Sequence, residues 1–300
     1  MILGLSHVGL SVKDLDASVQ YYQETFGFQV LSDAERKGEL IARITGIPNF
    51  HTRTVYLSVA PHMHLELFGF YSPRVVPAEK ASLPRVGISY CTFIAKDLNN
   101  LTHLVKVAKD QDPADSIWNT VAELYEEGQI VSLLDPNQLT LRIIEVKDEG
   151  SASHALFERI TLCPAIVVQD VEASLRFYRD ILGLEIGRQA KPRKEPIHWV
   201  LLEGPSGICL QLIQPLNTDV LPAGPWRMEQ IGFTHIALAV KNLEKLYEEL
   251  TGRGVRFKSS PQAVTVGPHE GGKIVYFTTP EGIVLEFIDS PLTLEYPMEI

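Results

Sequence analysis

Apolar positions along the chain follow two alternating periods, which predict strands and helices in a fixed order. Residues 7–30 begin with an apolar stretch, and from Leu15 to Phe26 apolar residues then recur every three or four positions. This spacing places apolar side chains on one face of a helix. Asp14 stands where a carboxylate caps the first turn, and Gly27 stands where the helix must end. We therefore predict a strand, a helix and a second strand.

The same order of elements occurs four times. Residues 163–186 repeat residues 7–30 at a constant offset of 156 positions, and weaker copies begin at residues 90 and 235. The positions repeated in the strongest pair are Val12, Asp14, Ala17, Ser18, Tyr22 and Gly27, which recur as Val168, Asp170, Ala173, Ser174, Tyr178 and Gly183. Each copy ends in a late apolar strand, at residues 64–70, 139–146, 208–215 and 283–290. The repeated unit is therefore βαβββ.

We predict an α+β protein in which four βαβββ units pair into two cupped mixed sheets, because one unit cannot bury its sheet alone. The predicted units comprise residues 1–72, 86–147, 159–215 and 232–290. The predicted domains are residues 1–147, with the first pair of units, and residues 155–290, with the second pair, followed by a C-terminal tail at residues 291–300.

Composition narrows the class of protein. Of the 300 residues, 45% are hydrophobic and 21% are charged, which is ordinary for a soluble globular protein. The formal net charge of −10 argues against nucleic acid as a partner. No apolar run is long enough to cross a membrane. The three cysteines are widely spaced, so we expect no disulfide framework and a cytoplasmic protein.

Four polar residues occupy matching places in the repeated units. His7 and His235 lie on the first strands of units one and four, and Glu66 and Glu286 lie on the last strands. A carboxylate among apolar neighbours is costly to bury unless it is paired or bound to a metal. Imidazole and carboxylate together suit Zn, Fe(II), Ni, Co or Mn. The alternative is that the histidines are satisfied core or surface residues and the glutamates lie on exposed strand faces. Units two and three carry other residues at these places: Tyr90, Arg142, Cys163 and Gln211.

This repeat, with histidine on the first strand and glutamate on the last, resembles the vicinal oxygen chelate superfamily. That group includes glyoxalase I, methylmalonyl-CoA epimerase, extradiol ring-cleaving dioxygenases and bleomycin-binding proteins. The resemblance covers nearly the whole chain and implies one divalent metal ion in a cupped sheet, with a substrate bound through adjacent oxygens. The implied ligands are His7, Glu66, His235 and Glu286. This set requires unit one to pair with unit four, and unit two with unit three.

The segment at residues 267–286 resembles the extradiol dioxygenase signature. Its spacing, G-x-H-x5-V-Y-x2-T-P-x-G-x3-E, matches at each fixed position. By this resemblance Glu286 is a metal ligand, His269 is an acid or base near the bound substrate, and Tyr276 hydrogen-bonds a substrate oxygen. The main hypothesis is therefore an Fe(II) dioxygenase that cleaves a catechol-like or hydroquinone-like ring. The alternative roles are a solvent-exposed loop for His269 and strand core for Tyr276.

Glu66 favours a different class of enzyme. A fourth protein ligand leaves only two open positions on an octahedral ion, which suits abstraction of a proton next to a carbonyl. Bacterial glyoxalase I has a similar His/Glu/His/Glu set, and the alternative hypothesis is an isomerase, epimerase or lyase with Zn, Ni, Co or Mn. His64 shares a strand face with Glu66 and is a candidate to line the cavity. A metal-free binding or resistance protein is the third hypothesis. The expected partner is a small molecule with adjacent oxygens, and assembly into a homo-oligomer stays open.

Overall fold

The computed structural model describes residues 1–60, 62–78, 83–95, 130–145, 160–190 and 196–292. Unit one contains β1 (Ile2–Ser11), α1 (Leu15–Phe26), β2 (Gln29–Lys37), α2 (Glu39–Thr45), β3 (His51–Ala60) and β4 (Met63–Ser72). Unit two contains β5 (Gly87–Ala95), β6 (Ile130–Leu134) and β7 (Thr140–Glu145). The helix predicted for unit two and most of the predicted tail at 291–300 lie outside the described residues.

The second half of the chain contains units three and four. Unit three has β8 (Ile160–Val167), α3 (Val171–Tyr178), β9 (Glu185–Ala190), β10 (Ile197–Gly204), a short 3-10 turn (Pro205–Gly207) and β11 (Ile208–Pro215). Unit four has β12 (Gly232–Val240), α4 (Leu243–Gly252), β13 (Arg256–Phe257), β14 (Gln262–Ala263), β15 (Lys273–Thr278) and β16 (Val284–Asp289). The described parts of the units follow the predicted βαβββ order, with two additions: helix α2 in unit one and a fifth strand in unit four, where β13 and β14 are short.

Helix α1 shows how local sequence sets the bounds of a unit. The Asp14 side chain accepts a hydrogen bond from the Ala17 amide at 3.0 Å, which caps the first turn. Gly27 ends the helix in the left-handed conformation, at φ 71°. The helix buries Ser18 as well as its apolar stripe, because the Ser18 hydroxyl donates to the Asp14 carbonyl at 2.7 Å. A satisfied hydroxyl can be buried at little cost.

The strands form two mixed sheets. The first sheet has nine strands in the order β13-β15-β16-β12-β1-β4-β3-β2, with β14 paired to β15. The second has seven strands in the order β6-β7-β5-β8-β11-β10-β9. Unit one therefore pairs with unit four, and unit two with unit three, as the ligand set required. The domain bounds 1–147 and 155–290 stay a prediction, and each sheet combines one unit from each range.

Strand alternation in the first sheet separates the face that packs against the second sheet from the face that carries the two histidines and two glutamates. Val8 and Leu65 belong to the main apolar cluster, which also contains Ile166 and Leu212 of the second sheet. Their neighbours along the strands point the other way. His7 and Glu66 therefore lie on the face that turns away from this shared core.

The second sheet contains one disulfide, although the cysteine spacing led us to expect no disulfide framework. Cys163 on β8 and Cys209 on β11 form it, with their Cα atoms 4.9 Å apart. The two cysteines are 46 positions apart in sequence, and pairing of their strands makes them neighbours. Cys91 is buried and free. The longest described helix has 12 residues, and no helix in the described ranges is long and apolar enough to span a membrane.

Candidate metal centre

Strand register at the centre of the first sheet places two histidines and two glutamates around one point. On the antiparallel pair β1 and β12, His7 lies opposite Ala237, and His235 lies opposite Gly9. The outer parallel strands add Glu286 beside Ala237 and Glu66 beside Gly9. Each glutamate therefore reaches a histidine across a small residue. Because Gly9 and Ala237 fill little space, the four long side chains can converge above them.

The converging atoms lie within 4.8 Å of one another, and all four side chains are buried. Nε2 of His7 is 3.2 Å from Oε2 of Glu66 and 3.2 Å from Oε2 of Glu286. Nε2 of His235 is 3.5 Å and 3.0 Å from the same two oxygens. The two Nε2 atoms are 3.2 Å apart. In the described part of the chain, this is the one group of three or more such ligands.

Hydroxyl groups hold the outer nitrogen of each imidazole. The Ser6 hydroxyl lies 3.2 Å from Nδ1 of His7, and the Thr234 hydroxyl lies 2.9 Å from Nδ1 of His235. With the proton on Nδ1 donated to the hydroxyl oxygen, the Nε2 lone pair is free to face the cluster. Partners of this kind commonly orient histidines that bind metals. The donor set therefore fits a divalent cation, and each hydroxyl can accept the hydrogen bond of the tautomer that would bind it.

Electrostatics inside the cluster also favour a cation. Burial disfavours the imidazolium, but the carboxylates of Glu66 and Glu286 outweigh it and raise the pKa of His7 to about 9. Burial likewise opposes ionisation of Glu66, yet His7 and then Arg36 lower its pKa to about 2. Burial opposes ionisation of Glu286 as well, but His235 and His7 hold its pKa below its usual range. Two buried carboxylates thus stay ionised and need positive charge close by.

The two residues singled out from the 267–286 segment lie beside this cluster. Tyr276 is opposite Glu286 in the sheet, and its ring centroid is 5.2 Å from that of His235. The ring centroid of His269 is 5.9 Å from that of His7. His269 is buried, with Nδ1 3.0 Å from the Ser290 hydroxyl. The loop therefore brings His269 inward, and the solvent-exposed alternative for this residue was wrong.

Sequence reasoning missed Arg36 and Tyr56, which border the site on the side of Glu66. Nη1 of Arg36 is 3.5 Å from Oε1 of Glu66, and its Nη2 donates to the Tyr56 hydroxyl at 3.5 Å. Tyr56 lies opposite Glu66 on the neighbouring strand. In the sequence, the only indication of Tyr56 was its place in the alternation of strand β3, which determines the face on which its side chain lies. Arg36 lies on an edge strand with mostly polar neighbours, so its sequence context does not distinguish it from a surface arginine.

The second sheet has the same layout with different chemistry. Oε1 of Gln211 accepts from the Trp199 indole at 3.2 Å and from the Tyr90 hydroxyl at 3.4 Å. Nε2 of Gln211 donates to the Thr92 hydroxyl at 3.0 Å. Cys163 is held in the disulfide. An amide with hydrogen-bond partners replaces the carboxylate of the first sheet, and this position lacks the donors of a metal site.

Comparisons with known proteins agree with the fold and the repeat. The chain is 30% identical over 126 residues to human mitochondrial methylmalonyl-CoA epimerase, covering 41% of this chain and 69% of that protein. It is 39% identical over 142 residues to 2-epi-5-epi-valiolone epimerase of an Actinomyces species, covering 42% of this chain and 77% of that protein.

Solved structures show the same fold over nearly the full length. Glyoxalase I from Zea mays superposes with a TM-score of 0.64 at 17% identity, covering 97% of this chain and 94% of that one. A putative dioxygenase from Bacillus subtilis gives a TM-score of 0.60 at 13% identity, with 97% and 86% covered. The family model for the Glyoxalase/Bleomycin resistance protein/Dioxygenase superfamily matches residues 4–148 and 156–287. The chain therefore belongs to this superfamily, the vicinal oxygen chelate group indicated by its repeat.

Proposed function

We propose that the protein is a metal-dependent isomerase or epimerase that moves a proton on a carbon next to a carbonyl. The observation that carries the proposal is the position of Glu66, whose Oε2 lies as close to His7 as that of Glu286 does, at 3.2 Å. Four protein donors leave few positions free on one ion, which suits a carbonyl with a neighbouring oxygen better than a substrate together with dioxygen.

The relatives support the same class. Both curated relatives described above are epimerases by name, at 30% and 39% identity. The iron dioxygenase that the 267–286 segment favours lacks support of this kind, because the putative dioxygenase resembles this chain only in fold. The alternative hypothesis from the sequence is thus better supported than the main one.

In this proposal His7, His235, Glu66 and Glu286 hold a divalent cation. The cation, when bound, polarises the substrate carbonyl and makes the neighbouring carbon acid stronger. The Glu66 carboxylate would take the α-proton at Oε1, the oxygen that faces Arg36 rather than the histidines, and the carboxyl group so formed would give a proton back to the substrate. Burial of the cluster excludes water, which keeps the proton within the site and strengthens each electrostatic contact.

Tyr276 and His269, whose rings lie beside the cluster, are the other two residues proposed to act on the substrate. Burial, followed by the Glu286 charge, raises the pKa of Tyr276 well above its ordinary value, so its hydroxyl stays protonated and can donate to an oxygen that gains charge. Burial, reinforced by His7, lowers the pKa of His269 to about 3. Its imidazole is therefore neutral at pH 7 and can return a proton to the substrate only after it has taken one up.

The test is deuterium incorporation from D2O, followed by NMR on metal-loaded protein. The first compounds to test are methylmalonyl-CoA and 2-epi-5-epi-valiolone, which appear in the names of the two related epimerases. We expect wild-type protein to exchange the α-proton of a substrate, and Glu66→Gln to lower that rate by about 10²–10⁴-fold. Glu24→Gln, the same change on the exposed side of α1, is the matched control. Exchange that Glu66→Gln leaves intact would contradict the role of Glu66.

A ring-cleaving dioxygenase is the second candidate, and the burial of His269 and Tyr276 beside the cluster favours it. In that function His7, His235 and Glu286 form a facial triad for Fe(II), and Glu66 is dispensable. Oxygen uptake on catechol and hydroquinone by Fe(II)-loaded protein tests it. Uptake that survives in Glu66→Gln, without α-proton exchange in the wild type, would select the dioxygenase.

A further inference from the structure

Arg36 is a largely buried cation beside the metal centre, with donor groups to spare. Its side chain is 13% exposed. Its two terminal nitrogens make long contacts, at 3.5 Å to Glu66 and 3.5 Å to the Tyr56 hydroxyl. Its Nε is buried with no hydrogen-bond partner in the described part of the chain. A guanidinium carries five N–H donors, so these two contacts leave most of its donor capacity unused.

Two further unpartnered nitrogens lie around the same tyrosine. Nδ1 of His64 and Nε2 of His269 are buried and have no hydrogen-bond partner among the described residues. The ring centroid of Tyr56 is 6.3 Å from that of His64 and 5.6 Å from that of His269. The Arg36 guanidinium lies 5.5 Å from the same ring centroid. One wall of the site therefore collects three residues that each have one buried nitrogen without a hydrogen-bond partner among the described residues.

The glycine-rich loop of unit four closes over this wall. A Cβ atom at Gly267 would lie 2.9 Å from Nη2 of Arg36, and the backbone there has a φ of 94°. Only glycine combines that conformation with so close an approach. His269 lies two residues further along the same loop. The wall is thus assembled from unit one and unit four, as the ligand cluster is.

The net charge of the site determines which kind of substrate group can bind at this wall. A divalent cation balances the carboxylates of Glu66 and Glu286, and the guanidinium of Arg36 then remains as excess positive charge. A buried charge is costly without a partner. Guanidinium groups match carboxylates and phosphates in geometry as well as in charge.

We propose that Arg36 binds an anionic group of the substrate, and that His64 and His269 make the remaining hydrogen bonds to that group. The substrate class is then a small anion that presents two adjacent oxygens to the metal centre and a carboxylate or similar group to Arg36. This inference rests on the proposed metal-dependent function, since it takes the metal centre as the other anchor of the substrate.

Calorimetry with chelating probes tests the inference without turnover. Acetohydroxamate offers two adjacent oxygens only, whereas malonate and succinate monohydroxamate add a carboxylate one or two methylene groups away. We expect the better carboxylate probe to bind zinc-loaded wild-type protein about ten- to a hundredfold more tightly than acetohydroxamate, the range of one charge-assisted hydrogen bond. Arg36→Gln should lose this gain and keep both its zinc content and its acetohydroxamate affinity.

The controls separate the two proposals. Arg53→Gln removes an arginine of the neighbouring strand that pairs with Asp16 and Asp33 at the surface, and it should keep the full gain. Arg36→Met retains the apolar stem and replaces Arg36→Gln if the latter does not fold. Equal binding of all probes by the wild type, or a gain that survives loss of Arg36, would overturn the inference. Protein that binds neither zinc nor acetohydroxamate would instead refute the metal-dependent function.

Discussion

The Tyr276 hydroxyl can be removed while the ring stays in place, so its effect on turnover can be measured separately from any effect on the fold. Its ring packs 5.2 Å from His235, and its pKa stays well above the ordinary value, so the hydroxyl is a proton donor at neutral pH. We expect Tyr276→Phe to keep the metal content and to slow turnover about tenfold to a hundredfold, because a hydrogen bond to a charged oxygen contributes about 1.5–3 kcal/mol. Turnover and metal analysis on one preparation check this, and wild-type turnover would return Tyr276 to a purely structural role.

The raised pKa of His7 predicts how metal binding depends on pH. Its pKa of about 9 in the metal-free protein means that the imidazole is protonated at pH 7. A cation must displace that proton, so raising the pH removes a competitor. Apparent metal affinity should rise by about tenfold per pH unit from pH 7 and level off above about pH 9.

Calorimetry in buffers of different ionisation enthalpy provides the measurement. At pH 7 we expect about one proton to be released for each metal ion bound, and fewer above pH 9. Affinity that does not change between pH 7 and pH 9, with no proton release, would contradict the raised pKa of His7.

At the scale of strands, the register of β1 and β12 is what brings the ligands together. Gly9 lies opposite His235, and a Cβ atom at Gly9 would be 2.4 Å from Cε1 of that ring and 2.5 Å from the Thr234 hydroxyl. Real side chains do not tolerate such contacts. Gly9→Ala must therefore displace the imidazole or its hydroxyl partner, or shift the strand.

We expect Gly9→Ala to destabilise the fold by about 1–3 kcal/mol and to weaken metal binding more than tenfold. Thermal unfolding with and without metal measures both effects. Gly252→Ala at the end of α4 is the matched control, because no atom would lie within 4 Å of its Cβ. It should leave metal binding unchanged and raise stability by up to about 1 kcal/mol. Normal metal affinity in Gly9→Ala would contradict the close packing at His235.

The repeat made the elements and the clustering of His7, Glu66, His235 and Glu286 predictable, because each histidine and glutamate occupies a matching place in a strand. Partners contributed by other strands were not predictable. Arg36 reaches Glu66 from two strands away, and Cys163 meets Cys209 only because β8 and β11 pair. Both contacts depend on register and side-chain direction, which periodicity alone does not specify.

Across the whole molecule, the proposed metal centre ties the first unit to the last. His7 and His235 are 228 positions apart, yet their Nε2 atoms are 3.2 Å apart. The second sheet repeats the layout, with Gln211 hydrogen-bonded where the first sheet has glutamate. Residue identity at the matching positions already carries this asymmetry, and together with the ligand set implied by the family resemblance it predicts the pairing of units one and four.

Metal content per chain tests most directly whether units one and four share one site. Zinc-reconstituted wild-type protein should carry one ion per chain by elemental mass spectrometry after dialysis. His7→Ala and His235→Ala should each lose at least about 100-fold in affinity, more than the loss of an orienting partner costs. Tyr90→Phe, at the corresponding place in unit two, should keep the ion. Retention of the ion by either histidine variant, or its loss in Tyr90→Phe, would contradict a single centre shared by these two units.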